Sequence, residues 1–200
     1  MIEPRMVRQF GRLAFAVLAM LPSITPAVAA DDSTEAWDAL AKGGHVALIR
    51  HGNAPPGYGG DPPGMRIDDC ATQRNLDDKG RAQGKALGEA FRTHSVSVDR
   101  VQASPMCRCM ETARLMAVGP VESLWSLLPD MNPNAKVRFL ELKQLVSAWR
   151  GPGTLVLVTH GLTVRPMTGF VPDQAETVVL KPTPGNEPGA QIVGRIAAPQ

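Results

Sequence analysis

Residues 46–52 read VALIRHG, and residues 155–161 read LVLVTHG. Each stretch is an apolar, β-branched run that ends in a polar residue, a histidine and a glycine. A short run of this kind is typical of a strand buried on both faces of a parallel sheet. Open parallel sheets bind ligands at the carboxyl ends of their strands. We therefore expect His51 and His160, two of only four histidines in the chain, to meet at one edge of a sheet.

Strand and helix patterns alternate along the rest of the chain, which predicts an α/β fold: a three-layer sandwich whose mostly parallel central sheet is flanked by helices. A long segment rich in proline and glycine, residues 53–70, leaves the histidine edge, and loops of this length are usually functional. The predicted strands are 46–49, 98–103, 155–158, 177–180 and 190–196, and the predicted helices are 37–41, 77 or 78 to 93, 107–117, 135–149 and 163–170.

The apolar faces of two predicted helices indicate how they pack against the sheet. The helix that ends at Thr93 is expected to bury Ala82, Leu87, Ala90 and Phe91. The later helix is expected to bury Val137, Leu140, Leu145 and Val146.

The first thirty residues are predicted to be a secretory signal peptide rather than part of the fold. Three arginines precede an apolar core at residues 13–21, and Ala27-Val28-Ala29 is a small-x-small cleavage site. The apolar core is short for a bilayer span. A retained N-terminal anchor is the alternative, and no stable membrane anchor is expected. This pattern predicts a single domain at residues 31–200 and a periplasmic or secreted location.

Charge gives no indication of a nucleic acid or an acidic membrane as partner. The whole chain has a formal net charge of +2, and residues 31–200 carry equal numbers of basic and acidic side chains. A near-neutral domain lacks the basic surface that such partners require.

Three cysteines, Cys70, Cys107 and Cys109, follow the predicted signal peptide. An odd number leaves one free thiol or one intermolecular partner. A bridge from Cys70 to either of the others would close a long loop and stabilise the fold by roughly 3–4 kcal/mol. Structural zinc would need a second ligand pair, so a metal site is the weaker interpretation.

Residue types at the histidine edge suit phosphoryl transfer. A neutral imidazole is a competent nucleophile toward phosphorus, and the planar guanidinium of arginine binds two phosphate oxygens at once. Arg50 precedes His51, and Arg108 is predicted in the first helical turn after another strand. Helix N-termini favour anions as well. One nucleophile and several fixed cations are sufficient for this chemistry.

Three motifs resemble those of the histidine phosphatase superfamily, the group that includes phosphoglycerate mutases. Arg50-His51-Gly52 resembles its RHG signature. The segment from Ser104 to Ala113, with Arg108, resembles its second motif, and Thr159-His160-Gly161 resembles its third. Leu76, Gly80 and Gln83 are similar to the opening of its first long helix. The motifs occur in the family's order over nearly all of residues 31–200.

The resemblance implies a phosphoglycerate mutase-like fold and a metal-independent, cofactor-free phosphatase. His51 would be phosphorylated transiently, and Arg50, Arg108 and His160 would clamp the transferring group. Substrate contacts would come from Asn53, Arg74 and Gly161, although an exposed ion pair is an equal expectation for Arg74. The cysteine pattern resembles the secreted bacterial branch of the superfamily, which implies a Cys70–Cys107 disulfide and a small phosphorylated substrate such as an envelope sugar phosphate.

A proton donor for the leaving group is the least defined part of this site. Asp130 is the first candidate because it lies in the loop after the second motif. Glu176 and Asp61 are further options, and a site with no dedicated acid is the remaining one. The chain shows no insertion of the kind that mutases use to hold their product.

Two alternatives to a phosphatase follow from these features. The first is a phosphate-binding module with little or no catalysis, and the second is a phosphomutase. His45 and His94 are expected to be bystanders, and Trp125 and Trp149 are expected in the core or at its rim.

Overall fold

The computed structural model describes residues 32–56, 60–129, 135–185 and 189–199. The predicted signal peptide and the predicted acid Asp130 lie outside these ranges. Within them, no helix combines the length and apolar character needed to cross a membrane.

A six-stranded sheet forms the centre of the described structure, in the order β3-β2-β4-β1-β5-β6. Strands β3, β2, β4 and β1 pair in parallel, whereas β5 and β6 add to the sheet in antiparallel fashion. The strands are β1 (Val46–Arg50), β2 (Val98–Ala103), β3 (Val121–Ser123), β4 (Thr154–Thr159), β5 (Thr177–Thr183) and β6 (Gly189–Ile196). The prediction of a mostly parallel α/β sheet is confirmed.

The two histidine strands are direct neighbours in this sheet. Val46 of β1 pairs with Leu155 of β4, and the register continues to Arg50 beside Thr159. The residues after Arg50 and Thr159 are His51 and His160, so the pairing brings both histidines to the same edge at the same height.

Helices cover both faces of the sheet. Consecutive strand residues point to opposite faces, so the apolar side chains of a buried strand pack against helices on both sides. The helices are α1 (Asp32–Lys42), α2 (Asp78–Thr93), α3 (Cys107–Met116), α4 (Ala135–Ala148) and α5 (Gly161–Thr168). Ala47 and Ile49 of β1 belong to a core cluster shared with α1, α2 and α3, whereas Val46 and Leu48 belong to a second cluster shared with α4 and α5. The three-layer arrangement expected from the sequence is confirmed.

Several element boundaries differ from the sequence predictions. Helix α1 begins at Asp32 instead of residue 37, and α5 spans Gly161–Thr168 instead of 163–170. Strand β3, which has three residues, was not predicted. It is an edge strand with an intermediate and two exposed positions, so it lacks the apolar pattern by which buried strands are identified.

The predicted buried faces of α2 and α4 are partly wrong. Ala82 is exposed, and the Val137 and Leu140 side chains are 56% and 49% exposed. Val146 is buried as predicted, and Leu145 is partly buried, but Leu142, which was not predicted, is buried as well. Because α4 turns only part of its apolar surface to the sheet, its amphipathic pattern is too weak to identify the buried side from sequence.

Glycines explain why the buried face of α2 differs from the predicted apolar face. A Cβ atom at Gly80 would lie 2.1 Å from the Asn53 carbonyl oxygen, and one at Gly88 would lie 1.9 Å from that of Met116. Only glycine permits such a close approach of two backbones. Helix α2 therefore rests directly on α3 and on the loop that follows His51.

A disulfide joins Cys70, in the loop between β1 and α2, to Cys107 at the start of α3. The two Cα atoms are 5.7 Å apart. The Cys107 backbone N–H also donates a hydrogen bond of 2.9 Å to the Gln73 side chain of the same loop. The pairing implied by the family resemblance is confirmed, and Cys109 is a buried free thiol.

Candidate active site

Three parallel strands end at the candidate site. The backbone N–H of His51 donates to the Thr159 carbonyl oxygen at 2.9 Å, and that of Ser104 donates to the Val158 carbonyl oxygen at the same distance. These bonds extend the pairing of β1, β4 and β2 by one residue. They place the rings of His51 and His160 with centroids 5.4 Å apart, so the expected meeting of the two histidines is observed.

His51 is buried and presents an unprotonated ring nitrogen to the site. Its Nδ1 lies 2.8 Å from the Gly52 carbonyl oxygen, and a carbonyl accepts hydrogen bonds only, so Nδ1 carries the proton. Its Nε2 then accepts a hydrogen bond from Nε of Arg108 at 3.2 Å. Burial, followed by the nearby charge of Arg108, lowers the pKa of His51 to about 3. The Nε2 lone pair is therefore available as a nucleophile at neutral pH.

Arg108 lies at the centre of the site, in the first turn of α3. It is buried, and its guanidinium faces in two directions. Its Nε and one terminal nitrogen face the histidines, because the latter nitrogen lies 3.3 Å from Nδ1 of His160. Both terminal nitrogens donate to the carboxylate of Asp61, at 2.8 and 3.1 Å. A fork of this kind is the arrangement that binds two oxygens of one anion.

His160 is a neutral hydrogen-bonding group in this structure. Its Nδ1 accepts from Arg108, so the ring proton lies on Nε2, which donates to the Ser104 hydroxyl at 2.9 Å. The Cys109 thiol lies 3.4 Å from the same nitrogen. Burial, followed by the charge of Arg108, holds the pKa of His160 well below its ordinary value.

Arg50 and Arg74 add further donors around this centre. Arg50 donates to the Pro172 carbonyl oxygen at 2.7 Å, and Arg74 donates to that of Ala54 at 2.9 Å. The Nε atoms of both arginines are buried without a hydrogen-bond partner. Burial lowers the pKa of each side chain. Buried donors without a partner are costly, and an anionic ligand would satisfy them.

The first two motifs fall within a match to a known family model. The model of the histidine phosphatase superfamily, branch 1, matches residues 46–127, which contain both His51 and Arg108. Residues 46–127 therefore carry the pattern of the histidine phosphatase superfamily. No curated protein sequence matches it.

Solved structures of other proteins share the fold of this chain. The protein histidine phosphatase SixA, complexed with tungstate, is 16% identical, with a TM-score of 0.55 over 76% of this chain and 96% of that one. The SixA protein of Agrobacterium tumefaciens is 18% identical, with a TM-score of 0.52 over 78% and 98%. The open reading frame Rv3214 of Mycobacterium tuberculosis is 16% identical, with a TM-score of 0.55 over 75% and 96%. At these identities the likeness establishes the fold.

Two of the predicted substrate contacts are placed differently with respect to the site. Gly161 lies beside Arg50, where a Cβ atom would be 3.5 Å from Nε of that arginine. Asn53 donates its side-chain amide to the Asp77 carboxylate at 2.6 Å, and its backbone N–H donates to Gln83. Asp77 in turn caps α2. The described contacts of Asn53 thus connect the loop to α2, and its predicted contact with substrate stays a prediction.

The candidate acids differ in what they contact. Glu176 is buried, but its two carboxylate oxygens accept hydrogen bonds from Arg195 and from the Asp173 backbone N–H. Asp61 instead contacts Arg108 within the site. The assignment to Asp130 falls outside the described residues and stays a prediction. The sequence contained no local signal for the Asp61 contact, because Asp61 and Arg108 are 47 residues apart.

The remaining histidines and tryptophans lie elsewhere. His94 follows the last residue of α2 and stacks on Trp37, and His45 bonds to the Gly43 carbonyl oxygen. Trp149 packs against the second core cluster, whereas Trp125 is exposed. Across the ranges that are described, no three His, Cys, Asp or Glu side chains are arranged to hold a metal ion.

The two buried histidines predict that the protein loses stability as the pH falls below 6.5. In the unfolded chain, a histidine binds a proton near pH 6.5, whereas the fold holds His51 and His160 neutral to much lower pH. His51 should therefore cost about 2 kcal/mol of the free energy of unfolding between pH 6.5 and about pH 5, and His160 should add to this loss. Urea denaturation in phosphate-free buffers measures this loss.

A double variant, His51→Asn with His160→Asn, is the control for this pH dependence. Its free energy of unfolding should change much less over the same interval, because neither replacement titrates there. A wild-type protein that becomes more stable between pH 6.5 and about pH 5 would contradict the assignment of neutral, buried imidazoles.

Proposed function

We propose that this chain is a phosphomonoester hydrolase that works through a phosphohistidine on His51. One observation carries the proposal: the unprotonated Nε2 of His51 lies 3.2 Å from Nε of the buried Arg108, with His160 on the same guanidinium. A nucleophilic nitrogen and a guanidinium that can donate two hydrogen bonds to an anion are thus direct neighbours. The structural similarity to a protein histidine phosphatase complexed with tungstate, which is an anion, supports the same interpretation.

The proposed reaction has two displacement steps. Nε2 of His51 attacks phosphorus, the bond from phosphorus to the ester oxygen breaks, and the leaving oxygen takes the proton that the phosphomonoester monoanion brought. Water then attacks the phosphohistidine, its proton leaves with the phosphate product, and the bond from phosphorus to nitrogen breaks with its electron pair returning to His51. Arg50, Arg108 and His160 balance the negative charge on the non-bridging oxygens in both steps.

Protonation of His160 is coupled to substrate binding in this proposal. In the structure, Nδ1 of His160 accepts from Arg108 and so has no proton to offer an anion. When phosphoryl oxygens take the N–H groups of Arg108, this nitrogen loses its donor and faces an anion. Protonation there is then favoured, because the negative charge offsets the repulsion from the arginines.

A periplasmic or secreted location, and a small substrate such as an envelope sugar phosphate, remain part of the proposal. The Cys70–Cys107 disulfide supports an oxidising compartment, because such bonds are rare in reducing ones. The signal-like pattern of residues 1–30 points in the same direction.

The test is release of phosphate from p-nitrophenyl phosphate by the purified protein, with and without EDTA. We expect turnover that chelation leaves unchanged and that vanadate inhibits. Quenched reactions should contain a phosphoprotein that is stable in alkali and labile in acid, as a phosphoramidate is. The His45→Ala variant is the matched control, because this histidine lies outside the site. Turnover that EDTA abolishes and a divalent metal restores would contradict the mechanism.

A phosphate-binding module without turnover is the second candidate. The observation in its favour is the carboxylate of Asp61, which already occupies part of the guanidinium fork of Arg108. Such a protein would bind vanadate but release no phosphate from aryl or alkyl phosphates.

A further inference from the structure

We infer that Asp61 is the catalytic proton donor and acceptor of this site; the inference rests on the proposed phosphatase function. Asp61 belongs to the long loop between β1 and α2, and its side chain is 6% exposed. Its carboxylate accepts from both terminal nitrogens of Arg108, and its Oδ1 also accepts from the Arg74 backbone N–H at 3.0 Å. These contacts hold a carboxylate inside the anion-binding region itself.

The guanidinium of Arg108 positions Asp61 relative to the nucleophile. Nε of Arg108 bonds to His51, whereas the terminal nitrogens bond to Asp61, so one planar group separates the two side chains. A phosphoryl group attacked by His51 must lie beside this guanidinium. The carboxylate of Asp61, held on the terminal nitrogens of Arg108, is then adjacent to that group, whereas Nε2 of His51 lies at the Nε end of the guanidinium.

The other candidate acids lack this placement. Both carboxylate oxygens of Glu176 accept hydrogen bonds from groups other than the proposed phosphate-binding side chains. These donors are Arg195 and the Asp173 backbone N–H. Within the described ranges, Asp61 is the carboxylate that forms an ion pair with Arg108. It also contacts Arg74, whose unpartnered Nε is a further donor in the same region.

Protons and electron pairs balance through one full cycle. A phosphomonoester monoanion brings one proton, which passes to the carboxylate of Asp61 as the phosphoryl oxygens take donors of Arg108. During attack by His51, the electron pair of the broken phosphorus–oxygen bond stays on the leaving oxygen, which takes the proton from Asp61. During hydrolysis, the carboxylate accepts a proton from the attacking water. That proton leaves with phosphate, and Asp61 pairs with Arg108 again.

The test compares two substrates that differ in their need for a proton. The leaving group of p-nitrophenyl phosphate departs as a stable anion, whereas the alkoxide of glycerol 3-phosphate must be protonated. For Asp61→Asn, we expect kcat/KM to fall by about 100-fold or more on the alkyl phosphate and by less than about 10-fold on the aryl phosphate. The pH profile of kcat/KM for the alkyl phosphate should also change, on the side where kcat/KM falls as the pH rises.

Two control variants make the result specific. Asp68→Asn alters an exposed carboxylate of the same loop, which pairs with Arg66 at 3.7 Å, and should leave both rates unchanged. Asp130→Asn tests the alternative acid. Residual aryl turnover shows that Asp61→Asn has folded, and thermal unfolding by circular dichroism checks this independently.

Each outcome decides the inference. Equal losses on both substrates in a folded Asp61→Asn variant, or no loss on either, would overturn it. A loss confined to the alkyl phosphate in Asp130→Asn, and absent from Asp61→Asn, would also overturn it. Failure of the proposed function is distinguishable, because the wild-type protein would then form no phosphohistidine on either substrate.

Discussion

Alanine in place of His51 should remove phosphatase activity, with a fall in kcat on the order of 10⁴-fold or more. The variant lacks the nitrogen that attacks phosphorus, and no nearby side chain can replace it. His160 is directed to Ser104 and Arg108 through its two ring nitrogens, and the Cys109 thiol has its pKa raised to about 12, mainly by burial. Phosphate release from p-nitrophenyl phosphate measures the loss.

Two further measurements separate loss of the nucleophile from loss of the fold. The His51→Ala variant should form no acid-labile phosphoprotein, yet it should still bind vanadate, because Arg50 and Arg108 remain. A phosphoprotein of normal yield in this variant would assign the nucleophile to a different residue. The variant should also lose less stability at acid pH than the wild type, because one of the two buried imidazoles is gone.

Replacing Arg108 by lysine should lower kcat/KM by about 10²- to 10³-fold, although the positive charge is kept. The ammonium group of lysine has a single nitrogen, so it cannot donate hydrogen bonds from three separate nitrogens as the guanidinium does. In the structure one nitrogen faces His51, a second faces His160, and the terminal pair holds Asp61. The geometry of donors, rather than charge alone, should therefore set the rate.

Arg114→Lys is the matched control, because Arg114 lies on the same helix α3 and is exposed. Its kinetic constants on p-nitrophenyl phosphate should equal those of the wild type. If Arg108→Lys were as active as this control, the bidentate clamp would have no catalytic role. Thermal unfolding of both variants checks that each is folded under the assay conditions.

The parts of the site that could be predicted are those encoded within a few neighbouring residues. The apolar runs of β1 and β4 identified two buried strands, and the histidine after each strand had to emerge at its end. The start of α2 was predicted at Asp77 or Asp78, and Asp77 caps that helix by accepting from the Gly80 backbone N–H. In each case, backbone geometry connects residues that are close in sequence.

The sequence by itself determined the α/β class, the order of the strands and helices along the chain except for β3, the meeting of His51 with His160, and the position of Arg108 at a helix start. Tertiary structure alone decided which face of α4 is buried, that Asn53 bonds to Asp77, and that Asp61 of a long loop lies on Arg108. The physical reason is that strand and helix formation follow from local chemistry. Contacts across tens of residues depend instead on how the whole chain packs, and no short pattern encodes them.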